Sequence, residues 1–162
     1  MKTADALFEA LETETLLYRE LADSFKNESG TLARMTVREI IGMTIGQEEI
    51  IQRIRGNAER RANAAGLLAG ELGLENAPVT LSALLLRVDE SEKSKLGRLK
   101  ARLEEAVAAA KAARDMNVRL LDTMLGQIDK TIHVLGGSAG RQDGYGPGQS
   151  VGASAGLLSS RL

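Results

Sequence analysis

The sequence predicts an all-α protein: an elongated antiparallel helical bundle with two long helices, a shorter N-terminal helix, a short connecting helix and a Gly-rich C-terminal tail. Three observations predict it. Two long stretches, from Ala33 to Leu72 and from Leu96 to Met124, repeat apolar residues at alternating spacings of three and four, which places them on narrow helical seams. No stretch alternates apolar and polar residues as a half-buried strand would. Aromatics are nearly absent: Phe8, Tyr18, Phe25 and Tyr145, with no Trp. Burial therefore falls to Leu, Ile, Ala and Met, which fill a thin seam more readily than a wide core.

The first helix is expected from about Thr3 to Asn27. Leu7, Leu11, Leu17, Tyr18, Leu21 and Phe25 share one stripe, with Glu9, Glu12, Glu20 and Asp23 mostly off it. Asn27-Glu28-Ser29-Gly30 reads as a turn, with Gly30 free to take a left-handed conformation. The second helix has two candidate caps, Thr31 and the capping box Thr36-Val37-Arg38-Glu39. Its seam is Ala33, Val37, Ile40, Thr44, Gln47, Ile51, Ile54, Ala58, Arg61, Ala65, Leu68 and Leu72. Gly42, Gly46, Gly56, Gly66 and Gly70 lie inside it; they read as close helix approach, as tolerated glycines, or as a hinge.

Gly73 to Pro78 ends the second helix. Thr80 can cap a short helix, Leu81 to Val88, and Asp89-Glu90-Ser91-Glu92 reads as a capping-box start for the last helix. That helix has the seam Leu96, Leu99, Leu103, Ala106, Ala110, Ala113, Asn117, Leu120 and Met124, then Ile128, Ile132 and Leu135, and is expected to stop at Gly136-Gly137. Short turns make neighbours antiparallel. The first helix is expected to cover only the upper part of the long pair, with the short helix covering the lower part. The domains read as a bundle, 1–135, and a tail, 136–162.

Composition bounds the function. A chain of 162 residues supports one domain with a real core. The net charge of -1 gives no long-range attraction for nucleic acid or membrane. The absence of cysteine excludes disulfides and thiolate metal sites. Met1 to Asp5 is not the start of a secretory signal, and no run approaches the ~18 apolar residues of a membrane helix. A cytoplasmic protein, not inserted in a membrane, is expected.

Catalytic chemistry finds no footing. The single histidine, His133, cannot build the paired Glu-x-x-His of a helical di-iron site and reads as a helix-terminal residue. The Gly-rich tail has no Gly-Lys-Ser/Thr and no preceding strand, so it is not a phosphate loop. Lys93, Lys95, Arg98, Lys100 and Arg102 form a basic run that reads as a solvated face; without interleaved aromatics it does not suit single-stranded nucleic acid. No catalytic residue, metal ligand or cofactor is expected. Asn117 reads as a register-setting polar residue in the seam. Tyr145 stands alone in the tail, and either packs on its own bundle or anchors the tail to a partner.

Two features point to protein binding. After Met124 the spacing relaxes to fours, leaving Leu120, Leu121, Met124, Leu125, Ile128, Ile132 and Leu135 on a face wider than one seam, which suits docking of a partner helix. Beyond it, Tyr145, Val151, Leu157, Leu158 and Leu162 are possible anchors on a Gly-rich strap.

The order of these features resembles the FlgN family of flagellar export chaperones over nearly the whole chain. Leu7-Phe8-Glu9-Ala10-Leu11-Glu12-Thr13-Glu14 with Leu17-Tyr18-Arg19-Glu20-Leu21 is similar to the family's first helix. Arg114-Asp115-Met116-Asn117-Val118-Arg119-Leu120-Leu121 resembles its charged-x-Asn-x-x-Leu-Leu element, and Gly136-Gly137 with Tyr145-Gly146-Pro147-Gly148 resembles its glycine break and Tyr-Gly tail. Gly148 departs from the polar residue often found there. The resemblance implies a cytoplasmic type III secretion chaperone that binds the hook–filament junction proteins FlgK and FlgL, prevents their early assembly and delivers them to the export gate protein FlhA. It implies substrate binding by the second half of the last helix and the tail, and gate contact by Tyr145. From the residues themselves, Leu157 and Leu158 are expected to form a short helical turn that packs against substrate or bundle. A homo-oligomer is compatible with all of this. The alternative is a structural coiled-coil scaffold or self-assembling rod, which has no use for a Gly-rich strap with a solitary Tyr.

Overall fold

The structure is a computed structural model that describes residues 2–74 and 79–139. Its elements are α1 (Lys2–Thr31), a single 3-10 turn (Leu32–Arg34), α2 (Val37–Glu71), α3 (Leu81–Leu85) and α4 (Glu90–Ala139). Among the described residues there is no strand, and the all-α helical bundle is what the seams predict. The chain divides into two units, Met1–Met124 and Leu125–Leu162.

The first unit is a three-helix bundle with α3 at one end. α1 runs antiparallel to α2: Thr3 Oγ1 donates to Glu71 near one end, Asn57 Nδ2 donates 2.8 Å to the Ala10 carbonyl, and Gln47 Nε2 donates 2.8 Å to Glu28 at the other end. α4 runs parallel to α1, with Lys95 Nζ 4.5 Å from the centre of the Phe8 ring and Asn117 Nδ2 donating to Glu28. One core cluster joins Ala4, Leu7, Phe8 and Leu11 of α1 to Ala64, Ala65, Leu68 and Ala69 of α2, to Leu84, and to Leu96, Leu99 and Leu103 of α4. A second joins Leu17, Leu21 and Ala22 to Ile50, Ile54 and Ala110. Each fully buried leucine contributes about 1.5–3 kcal/mol relative to an exposed one.

α1 continues past the expected turn at Asn27 and through Gly30. Its last turn is held by polar contacts that favour helix: Ser29 Oγ donates 3.0 Å to the Phe25 carbonyl, and Glu28 is buried against Gln47 and Asn117. Of the two candidate caps for α2, Thr36 is used. Its Oγ1 accepts from Glu39 N at 3.3 Å, and its N–H donates to Glu39 Oε2 at 2.7 Å. Thr31 makes no side-chain cap.

α2 closes on Gly73, the one described glycine with positive φ, at 70°. Leu74 N donates 2.9 Å to the Ala69 carbonyl and Gly73 N donates 3.1 Å to that of Gly70, the two bonds of a Schellman motif. Leu74 then packs on the core beside them. The internal glycines of α2 serve no close approach: a Cβ at Gly42, Gly46, Gly56, Gly66 or Gly70 would meet nothing within 4 Å.

The coverage of α2 differs from the expected one. α1 begins level with Glu71, so it spans α2 from that end down to Gln47, and the uncovered stretch is the start of α2, not its end. α3 is shorter than expected. Thr80 caps it, with Oγ1 accepting 3.1 Å from Ala83 N, and Leu84 is fully buried beneath it.

In the second unit, the described residues are the end of α4, through Ala139. The helix does not stop at Gly136-Gly137. An isolated pair of glycines costs a helix about 2 kcal/mol relative to Ala, but removes none of its hydrogen bonds, as a proline would.

Candidate functional site

The seam of α4 in the first unit is a core element. Leu96, Leu99, Leu103, Ala106, Ala110 and Ala113 are buried. Asn117 ends that series inside a polar cluster: its Nδ2 donates to Glu28 Oε2, its Oδ1 lies against Ser29 Oγ, whose single proton is shared between it and the Phe25 carbonyl, and Gln47 also reaches Glu28. Glu28, Gln47 and Asn117 are all buried, one from each of three helices. Such a cluster is satisfied only in one register, which matches the role expected of Asn117. Leu120, Leu121 and Met124 follow and are half-buried.

A second polar pair, a buried Glu14 with a half-buried Arg61, lies higher in the bundle. Arg61 Nε stands 2.7 Å from the buried Glu14 Oε2. The N–H is not aimed along that line, so the contact is an ion pair rather than a directed hydrogen bond. Burial raises the Glu14 pKa, and the Arg61 charge only partly offsets this. Burial also raises the pKa of the neighbouring Tyr18, with the Glu14 charge adding to it. The pair is a structural feature of the α1–α2 seam.

In the second unit, Leu125, Ile128, Ile132 and Leu135 are between 52 % and 64 % exposed. Their spacing of three, four and three puts them within about a quarter of the helix circumference. Val134, also exposed, falls on another side. A stripe of four large apolar side chains open to solvent is what a helix-in-groove partner needs, with anchors at i, i+3, i+7 and i+10. Tyr145, Leu157 and Leu158 lie outside the described residues.

The sequence reading missed another apolar face. Val37, Ile41 and Ile45 of α2 are between 55 % and 74 % exposed and repeat every four residues. Val37 was expected in the buried seam; it faces solvent because α1 does not cover the start of α2. The available signal was the i, i+4, i+8 apolar repeat beside the assigned seam.

Among the described residues no group of three or more His, Cys, Asp or Glu side chains is placed to hold a metal, and His133 is exposed. The basic run is used locally: Lys93 pairs with Glu90 at 3.4 Å, Lys100 with Glu104 at 3.0 Å, and Lys95 lies over Phe8. No described helix is long and apolar enough to cross a membrane.

The family model described as FlgN protein matches residues 1–151. The chain belongs to the FlgN family. The match covers the bundle, all of α4 and Tyr145. No curated protein and no solved structure matches the chain. FlgN proteins are flagellar type III export chaperones that bind hook–filament junction proteins.

Proposed function

We propose that this FlgN protein acts in the cytoplasm as the export chaperone of FlgK and FlgL, and that an apolar helix of the substrate docks on Leu125, Ile128, Ile132 and Leu135. The observation that carries this reading is the exposure of all four at helical spacing. The half-buried Leu120, Leu121 and Met124 are further substrate contacts. Beyond the end of α4 at Ala139 we propose a second contact in which Leu157 and Leu158 hold substrate and Tyr145 meets the gate protein FlhA. A Gly-rich segment loses much entropy on ordering, so a few anchors must supply its gain.

The test is calorimetric binding of FlgK and FlgL to Ile128→Asp and Ile132→Asp. Each should weaken binding by about 1–3 kcal/mol while helicity and unfolding midpoint stay unchanged. Full-strength binding by the double variant would remove the stripe from the site. Tyr145→Ala should keep folding and substrate binding but impair secretion. Normal secretion, or outright loss of substrate binding, would end the division of labour between helix and tail.

A further inference from the structure

The exposed face at the start of α2 lies in the first unit, on a different helix from the residues assigned to substrate. Val37, Ile41 and Ile45 lie within about a quarter of the helix circumference, and Ile40 beside them is half-buried. The charges around this stripe are ordered along the chain. Arg34 and Arg38 stand at its N-terminal end, and Glu48 and Glu49 at its C-terminal end, all exposed. Neither Arg34 nor Arg38 has an ion pair with a described residue. Glu48 accepts only a neutral hydrogen bond, 2.6 Å from Gln52 Nε2. Glu39 is taken up by the Thr36 cap.

We infer that this face pairs with the same face of a second copy of the chain, antiparallel, about a two-fold axis at Ile41. A two-fold interface must be self-complementary: residue i meets j, and j meets i. Centred on Ile41, the pairing sets Val37 against the partner's Ile45 and Ile41 against its own counterpart. It sets Arg38 opposite Thr44, one helical turn from Glu48, a rise of about 6 Å that an arginine spans. The basic end of each copy meets the acidic end of the other. A parallel pairing would instead place Arg38 beside Arg38 and Glu48 beside Glu48. The apolar period selects a helical partner, and the charge order selects the antiparallel copy.

Three apolar side chains and their charged rim cover far less than the ~800 Å² per partner of a standard interface. The dimer is therefore weak, and forms at high micromolar rather than nanomolar concentration.

Sedimentation velocity of the full chain, from micromolar to millimolar, should show a concentration-dependent rise toward dimer. Ile41→Asp should abolish that rise without lowering helicity, because the side chain is exposed. Arg38→Glu alone should weaken the dimer, and Arg38→Glu with Glu48→Arg should restore it. The chain has no cysteine, so a single one reports position cleanly: Ile41→Cys should cross-link to itself with a short bis-maleimide, whereas Leu67→Cys, exposed farther along α2, should not. A monomer at millimolar concentration, or a dimer that survives Ile41→Asp, overturns the proposal. Equal cross-linking at 41 and 67 also overturns it, and failure of the charge swap to restore pairing overturns the antiparallel order. FlgK binding should be unaffected by Ile41→Asp; its loss would assign this face to substrate instead.

Discussion

Leu96, Leu99, Leu103, Ala106, Ala110 and Ala113 of α4 are all buried, whereas Leu125, Ile128, Ile132 and Leu135 of the same helix, in nearly the same spacing, are all more than half exposed. The two stretches of α2 differ in the same way. Ile50, Ile54 and Leu68 are buried; Val37, Ile41 and Ile45 are not. In both helices the period announces an apolar face, and a covering helix from elsewhere in the chain decides its fate. Within the first unit that cover ends at the Glu28–Gln47–Asn117 cluster, close to where α1 itself ends. An apolar face left open costs solubility. Under the proposed function, such a face is where a substrate helix docks.

The sharpest way to break this comparison is to truncate one leucine of the buried stretch and one residue of the open stretch. Leu103→Ala should lower unfolding stability by about 2–5 kcal/mol, since it leaves a cavity among packed side chains. Ile132→Ala should change it by less than about 0.5 kcal/mol. Urea unfolding midpoints decide the matter, and equal losses would show that the open stretch is core.

The polar boundary of the cover comes next. Asn117→Ala removes one partner from the buried Glu28 and one from Ser29. A loss of about 1–3 kcal/mol is expected. Asn117→Leu should not restore it, because Glu28 would still be short of a donor. Recovery with Leu would show that the position is only a packing site.

Smaller effects separate the glycines of α2. Gly73→Ala places a side chain at φ 70° and should cost about 1 kcal/mol. Gly66→Ala, in open space and in helical conformation, should instead stabilise by about 0.5–1 kcal/mol. A destabilised Gly66→Ala would favour the hinge among the readings the sequence left open.

The smallest effects are those of pH, and they have opposite signs. The Glu14 pKa is raised in the fold, chiefly by burial. Its contribution to stability is therefore fully present below the unfolded carboxylate range near 4.5, and is lost as pH rises through its raised folded value. The Glu39 pKa is lowered, chiefly by the Thr36 backbone hydrogen bond. Its contribution is present above about 4.5 and is lost as pH falls through the lowered value. Relative to the parent chain, Glu14→Gln should lose stability as pH falls from 7 toward about 4, and Glu39→Gln should gain relative stability over the same fall. Unfolding midpoints across that range, shifted in parallel for both variants, would contradict both assignments.

Most of the fold was legible because its signals are local. The Thr36 capping box, the Thr80 cap and the Gly73 stop all rest on residues within a turn or two of each other, and the structure uses each of them. The alternating seams marked the helices, although α2 also buries Ile50, Asn57, Ala64 and Ala69 beside the expected residues, and Ala33, Val37 and Thr44 are exposed. The candidate site was half legible. The spacing from Leu125 to Leu135 marks an apolar face, and so does the Val37, Ile41 and Ile45 repeat, but period alone does not say which face stays exposed. The end of α1 was misread because Glu28 and Ser29 look like a turn until their partners Gln47 and Asn117, far along the chain, are in place. The sequence by itself thus determined which stretches are helical, several of their caps and which faces are apolar, because propensity, capping and period act over a few residues. Only the tertiary structure decided which apolar faces stay open, because coverage depends on where a second helix ends, and that in turn depends on buried polar groups finding partners 19 and 89 residues away.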